Sequence, residues 1–232
     1  MKKIFKWLDN FWYHYKWRTI IITFFAVIFI IGFVQCMQKT DADVSILYVG
    51  PEVVSGEEYY EMEKVLAGRL DKDYNDDGEH TVQITDLVYL SDEQLEKKKA
   101  EAAADGEALY YDTSLRGKTL DQARNWIVSG AMMICIFDPA VYEQFSAQKD
   151  KLFVPLSSYL DEIPEYAYDE YSVRFSEIPY VKFSGAFAPI AENTVLCVVN
   201  LTAVASWGPD DAKARLDTHT ALVKRLIEFS LD

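Results

Sequence analysis

The sequence predicts an α/β protein: one N-terminal transmembrane helix followed by a single layered α/β extracellular domain. Three observations carry this. Residues Thr19–Gln38 form an apolar run with no charge between Arg18 and Lys39. At about 1.5 Å per helical residue, twenty residues cover roughly 30 Å, the hydrocarbon thickness of a bilayer. Beyond it, strand-like and helix-like segments alternate in the order β-α-β-α-α-β-α, which argues a layered α/β domain. Finally, the charge is divided unevenly about the run. Residues 1–18 carry five Lys+Arg against Asp9 alone, whereas residues 41–232 carry 17 Lys+Arg against 36 Asp+Glu.

That asymmetry sets the expected sidedness. A short basic segment stays in the cytoplasm under the positive-inside rule, so residues 1–18 are expected inside, 19–38 across the membrane and 39–232 outside. The expected location is the cell membrane, single-pass. The run is longer than a cleavable signal's apolar region, and no small-x-small pattern follows it; Gln35 before Cys36 is bulky where a lipoprotein signal needs a small residue. An uncleaved signal anchor is therefore expected. So acidic an external domain repels phosphate backbones, which argues against nucleic-acid binding.

In the first eighteen residues, Ile4, Trp7, Leu8, Phe11, Trp12 and Tyr15 recur at helical spacing, with Lys2, Lys3 and Lys6 largely opposite. A basic, Trp-rich amphipathic segment suits the inner headgroup region or a partner subunit. Trp7, Phe11 and Trp12 are the interaction candidates there, with membrane lipid as one partner.

After Lys39 the composition changes. Asp43–Val49 predicts a strand ended by Gly50-Pro51, and Ser55 predicts the cap of a helix whose Tyr59, Met62, Leu66 and Leu70 make a stripe. Thr81–Leu90 reads as a second strand. Ser91 with Gln94 has capping-box spacing ahead of an exposed helix over Asp92–Ala104. Thr119–Val128 predicts a helix, with Thr119 and Gln122 again at capping spacing. The apolar Met132–Phe137 predicts a strand buried on both faces, and Pro139 suits the first turn of a helix over Ala140–Ala147. Val173–Phe175, Tyr180–Phe183 and Thr194–Asn200 read as strands, and Ala221–Phe229 as a closing helix.

The sharpest local motif is Asp73-Tyr74-Asn75-Asp76-Asp77-Gly78. Oxygen side chains at positions 1, 3 and 5 with Gly at 6 match the start of a calcium loop, because a turn aims alternate oxygens at one point and Gly permits the bend. Asp73, Asn75 and Asp77, with Glu79, are the candidate ligands of a weakly bound calcium ion. Position 12 is Ile84, where a bidentate carboxylate is usual, so the alternative is a turn held by its own Asx side chains.

No catalytic signature is visible. His14, His80 and His219 sit at no metal-ligand or nucleophile spacing, and there is no nucleophile elbow or phosphate loop. The chain is expected not to be an enzyme; a hydrolase using paired carboxylates is the enzymatic alternative. Cys135 and Cys197 lie in apolar strands and are either a disulfide, if the strands adjoin, or buried thiols. The run Tyr180–Ile190 is expected to present Phe183, Phe187 and Pro189 in a loop.

Two passages, Thr81–Ala103 and Trp126–Glu162, give strand, charged helix, then helix, Gly, buried strand, short helix and a Pro-Leu turn. This series resembles the first lobe of the extracellular solute-binding proteins of bacterial transporters. The resemblance implies a buried strand that leads to a ligand cleft. The basic aromatic N-terminus and the Asp-x-Asn-x-Asp-Gly turn are also similar to membrane-tethered proteins of Gram-positive bacteria. The expected function is accordingly a non-enzymatic, membrane-anchored accessory or interaction module of a membrane or envelope complex, with a tethered receptor for a small-molecule ligand as the alternative.

Overall fold

The computed structural model describes residues 2–37, 42–75, 77–201 and 209–230. It divides into two compact units, residues 1–41 and 42–232.

The first unit is a single helix, α1 (Lys2–Met37), of 36 residues. At 1.5 Å per residue it is about 54 Å long. Its Tyr15–Gly32 stretch is apolar, wholly unburied and long enough to cross a membrane. The side chains of Trp12, Tyr13, Tyr15 and Trp17 are exposed at one end of that stretch. An aromatic belt of this kind suits a membrane–water interface.

The second unit holds one five-stranded sheet in the order β2-β1-β3-β5-β4. Its strands are β1 (Val44–Gly50), β2 (Val82–Val88), β3 (Ile134–Phe137), β4 (Ser172–Arg174) and β5 (Val195–Val198). β1 runs parallel to both β2 and β3, while β5 is antiparallel to β3 and β4. The helices of this unit are α2 (Gly56–Ala67), α3 (Asp92–Ala104), α4 (Leu115–Val128), α5 (Pro139–Tyr142), α6 (Lys149–Leu152), α7 (Pro179–Ser184), α8 (Ala188–Ala191) and α9 (Pro209–Ile227). The mixed α/β class and the expected order through α5 are therefore present.

The sheet is covered on both faces, and the two-residue period of the strands divides the core. Val44, Ile46 and Tyr48 of β1, with Ile134, Ile136, Leu196 and Val198, meet Met62 and Leu66 of α2, Val181 of α7 and Leu222 and Leu226 of α9. Leu47 and Val49, with Cys135, Phe137, Val195 and Cys197, meet Ala123 and Ile127 of α4 and Val141 and Tyr142 of α5. All four residues of β3 are buried, as a strand covered on both faces requires. At the sheet edge, the Ile84 N–H of β2 donates to the Glu63 carboxylate at 2.8 Å, which satisfies a donor that would otherwise stay open.

The local caps form as their residues dictate. Ser55 and Glu58 make a reciprocal capping box at α2, and Ser91 and Gln94 make another at α3. Several expectations need correction. α4 begins at Leu115, so Thr119 and Gln122 are interior and cap nothing. The expected helix over Ala140–Ala147 is α5 followed by a 3-10 stretch, Glu143–Gln148. Tyr180–Phe183 is helical, not a strand: Pro179 occupies the first turn of α7, where its fixed φ favours a helix. The closing helix starts well before Ala221, at Pro209.

Candidate functional site

The chain passes from β1 out to β2 and returns across β1 to β3. The C-terminal ends of β1 and β3 thus flank the point where the sheet order reverses, the place where open α/β sheets form a ligand crevice. A cavity of about 240 Å³ lies there. Its walls are Pro51 and Glu52 after β1, one stripe of α3, Asp138 after β3, and Ala188, Pro189, Glu192 and Asn193 in and after α8.

Each wall has a local cause. Gly50 ends β1, and a Cβ there would sit 2.4 Å from the Tyr48 hydroxyl oxygen. The bare glycine lets that hydroxyl fold back and accept the Glu52 N–H at 3.2 Å, which holds the turn entering the crevice. Burial raises the Tyr48 hydroxyl's pKa well beyond its ordinary value, so it remains a neutral phenol. Glu52 in turn accepts from Lys98 Nζ at 2.9 Å.

The floor is Asp138, only 4 % exposed. Its N–H donates to the Val49 carbonyl, and its Oδ1 accepts the Ala140 N–H at 2.8 Å, capping α5 ahead of Pro139. Its Oδ2 accepts from Gln94 Nε2 at 2.6 Å, while Gln94 Oε1 accepts the Ser91 N–H at 2.9 Å. Gln94 thus closes the capping box of α3 and braces the floor carboxylate. A buried carboxylate needs such donors.

The α3 stripe is Gln94, Lys97, Lys98 and Glu101. These positions are i, i+3, i+4 and i+7, the spacing of a helix face that is apolar where it packs on a core. Here the whole stripe is polar and faces a concavity. Asn193 on the opposite wall holds φ 56°, the left-handed region that asparagine tolerates among non-glycine residues. The lining offers four carboxylates, two ammonium groups and two side-chain amides, but no Ser, Thr, Cys, Tyr or His. Such a set can pair with both signs of charge and with hydrogen-bonding groups on a polar solute.

The calcium-loop residues lie elsewhere, in the turn before β2, where Asp73, Asn75 and Asp77 accept hydrogen bonds from the loop's own backbone. Asp73 accepts the Gly78 N–H at 2.6 Å and the Asp77 N–H at 3.3 Å. Asn75 Oδ1 also accepts the Asp77 N–H, and Asp77 Oδ1 accepts the Glu79 N–H at 2.8 Å. Asp76 is outside the described residues. Among the described residues no group of three or more His, Cys, Asp or Glu converges on a point. The loop is anchored by a residue that periodicity does not single out. Fully buried Asp43 accepts the Tyr74 and Asn75 N–H groups through Oδ1 and the Thr81 N–H through Oδ2. Its only signal in sequence is an acidic residue at the head of an apolar strand.

The aromatic interaction candidates separate. Phe187 is fully buried and packs edge-on against Phe175 at 5.5 Å, so it is core and is not presented in a loop. Gly185, at φ 67°, reverses the chain after α7 and carries Phe187 inward. Pro189 joins the crevice wall. Phe183 is 54 % exposed and lies 5.1 Å from the Phe229 ring, with the Arg69 guanidinium 4.9 Å from Phe229 and 4.2 Å from Tyr180. Trp12 is exposed on α1, whereas the side chains of Trp7 and Phe11 lie outside the described residues. No family model, curated protein or solved structure matches the chain.

Proposed function

We propose that this chain is a non-enzymatic, membrane-anchored recognition protein. In this reading α1 is the single span, with its N-terminus in the cytoplasm, and the external domain engages a small polar solute in the crevice between α3 and α8. The observation that carries the reading is the polar stripe of α3 facing a concavity whose floor, Asp138, is braced from two elements. A wall whose Asp138, Gln94 and Glu52 are already oriented loses little freedom when a solute binds, which favours affinity. The resemblance to one lobe of solute-binding proteins leads to the same end of the sheet.

Two experiments test this. Sided labelling of intact cells carrying Lys3→Cys or Asp210→Cys should modify only the second position from outside; labelling at position 3 would overturn the topology. A thermal-shift screen of the full-length protein in detergent against sugars, amino acids, short peptides and amines should find a stabilising compound. Lys97→Ala and Glu192→Ala, both on the crevice wall, should weaken that shift at least several-fold.

The second reading is an accessory subunit that docks on a protein partner, and the cluster of exposed Phe183 with half-buried Phe229 and Arg69 favours it. Aromatic and Arg side chains are the usual anchors of interfaces. Co-purification of a stoichiometric partner, lost in Phe183→Ala but retained in Lys97→Ala, would install it in place of the solute reading.

A further inference from the structure

Cys135 of β3 and Cys197 of β5 are direct register partners in the antiparallel ladder. Directly opposed side chains share a face, and these two are fully buried together in the α4 and α5 side of the core. Two residues along the ladder, the Val199 N–H donates to the Met133 carbonyl at 2.8 Å. The two-residue repeat of the ladder makes Cys135 and Cys197 a hydrogen-bonded pair, whose Cα atoms stand about 5.5 Å apart. That lies inside the roughly 4.4–6.8 Å range over which disulfides close; the hydrogen-bonded register holds the Cβ atoms about 5 Å apart, so the two strands must draw slightly together to bring them to the roughly 3.5–4.5 Å that the bond requires. The Cys197 Sγ is 3.8 Å from the Cys135 carbonyl oxygen, leaning across the ladder toward its partner. Both residues are thiols in this structure.

We propose that Cys135 and Cys197 are joined by a disulfide in the protein as it stands in the cell envelope. The external placement proposed for the domain puts them in a compartment where such bonds persist. The co-reactant is a disulfide, either low-molecular-weight or carried by a thiol oxidoreductase. One cysteine thiolate attacks a sulfur of that disulfide, forming a mixed disulfide and releasing one thiol. The second cysteine thiolate then attacks the first cysteine's sulfur and releases the other thiol. Two electrons leave the protein, the oxidant ends as two thiols, and the protons of the cysteines pass through solvent to them.

The step belongs to folding, because in the finished sheet neither sulfur reaches solvent. Burial also pushes the Cys197 thiol up, which leaves little thiolate in a folded, reduced domain. The same burial shields the bond once made. It closes a loop of 62 residues between β3 and β5, including β4 and the aromatic contacts of Phe153, Phe175 and Phe187.

The test uses full-length protein, trapped in intact cells with acid and then alkylated in denaturant with and without prior reduction. Cys36 alone should be modified without reductant and all three cysteines with it, and peptide mapping should recover the Cys135–Cys197 link. Three modified cysteines without reductant, or a link through Cys36, would overturn the proposal. In a second measurement, reductant applied during refolding should lower the melting temperature of the wild type by about 10 °C, from the loop length and the domain size. It should leave the Cys135→Ala/Cys197→Ala double variant unmoved; equal effects on both proteins would count against the bond. Sided labelling at positions 3 and 210 reads the topology separately, so an internal domain and an unpaired external one give different results.

Discussion

Mild acid should destabilise this domain through His219, which stays neutral when folded and takes up a proton when unfolded. His219 lies in α9, fully buried, with Nδ1 facing the Arg215 carbonyl one turn back. A carbonyl only accepts, so Nδ1 carries the proton and Nε2 is the bare acceptor. Among the described residues Nε2 has no hydrogen-bond partner. Burial pulls the imidazole pKa down to about 4; the Arg215 carbonyl and Asp43 act against this, and the Arg215 charge adds to it. The group is therefore neutral when folded and titrates near 6.5 when unfolded. Above pH 6.5 both states are neutral and stability does not depend on this residue. As pH falls through 6.5, the unfolded chain takes up a proton that the folded one refuses, and stability drops. The loss reaches about 2 kcal/mol by pH 5 and levels off near roughly 3 kcal/mol below pH 4. Carboxylates also titrate toward the lower end, so the comparison is with His219→Leu, which has no imidazole. Guanidinium denaturation of the full-length protein in detergent, followed by circular dichroism from pH 7.5 to 4.5, measures both. The wild type should lose about 2 kcal/mol more than the variant between pH 7 and pH 5. Parallel curves would refute the assignment of His219 as a neutral buried base.

Other outcomes follow from the same geometry. Gly50→Ala places a methyl group 2.4 Å from the Tyr48 hydroxyl oxygen, and displacing that buried ring should cost about 1–3 kcal/mol in chemical denaturation. It should also weaken the crevice by releasing the Glu52 N–H; unchanged stability would mean that the ring has room to move. Asp43→Ala strips the acceptor from the Tyr74, Asn75 and Thr81 amides and should cost about 2–4 kcal/mol, with hydrogen exchange over residues 74–81 accelerating before any other segment. Asp73, Asn75 and Asp77 accept the turn's own amides, so melting curves in millimolar calcium and in chelator should coincide. A rise of more than about 2 °C with calcium would instead make Asp73, Asn75 and Asp77 ion ligands.

What the sequence determines by itself in this protein is what short-range chemistry decides. An uncharged twenty-residue run has a helix as its economical solution in a bilayer, because no other conformation satisfies its backbone internally. Ser55 before Glu58 and Ser91 before Gln94 specify helix starts through contacts three residues apart. Alternation and apolar runs specify β1, β2 and β3, and Asp, Asn and Gly specify the turn at 73–78, because every partner is a near neighbour. Four residues such as Tyr180–Phe183 satisfy a helix period and a strand period equally. There the outcome rests on Pro179 opening a helical turn and on Tyr180 and Val181 finding the α2 and α9 side of the core. Tertiary structure alone decided that β5 lies between β3 and β4, that Phe187 turns inward, and that Cys135 faces Cys197. It alone brought α3 to α8, whose crevice residues lie nearly a hundred positions apart in the chain. Pairings at that separation arise from packing two amphipathic faces on one sheet, and no local pattern encodes which distant face will be the neighbour.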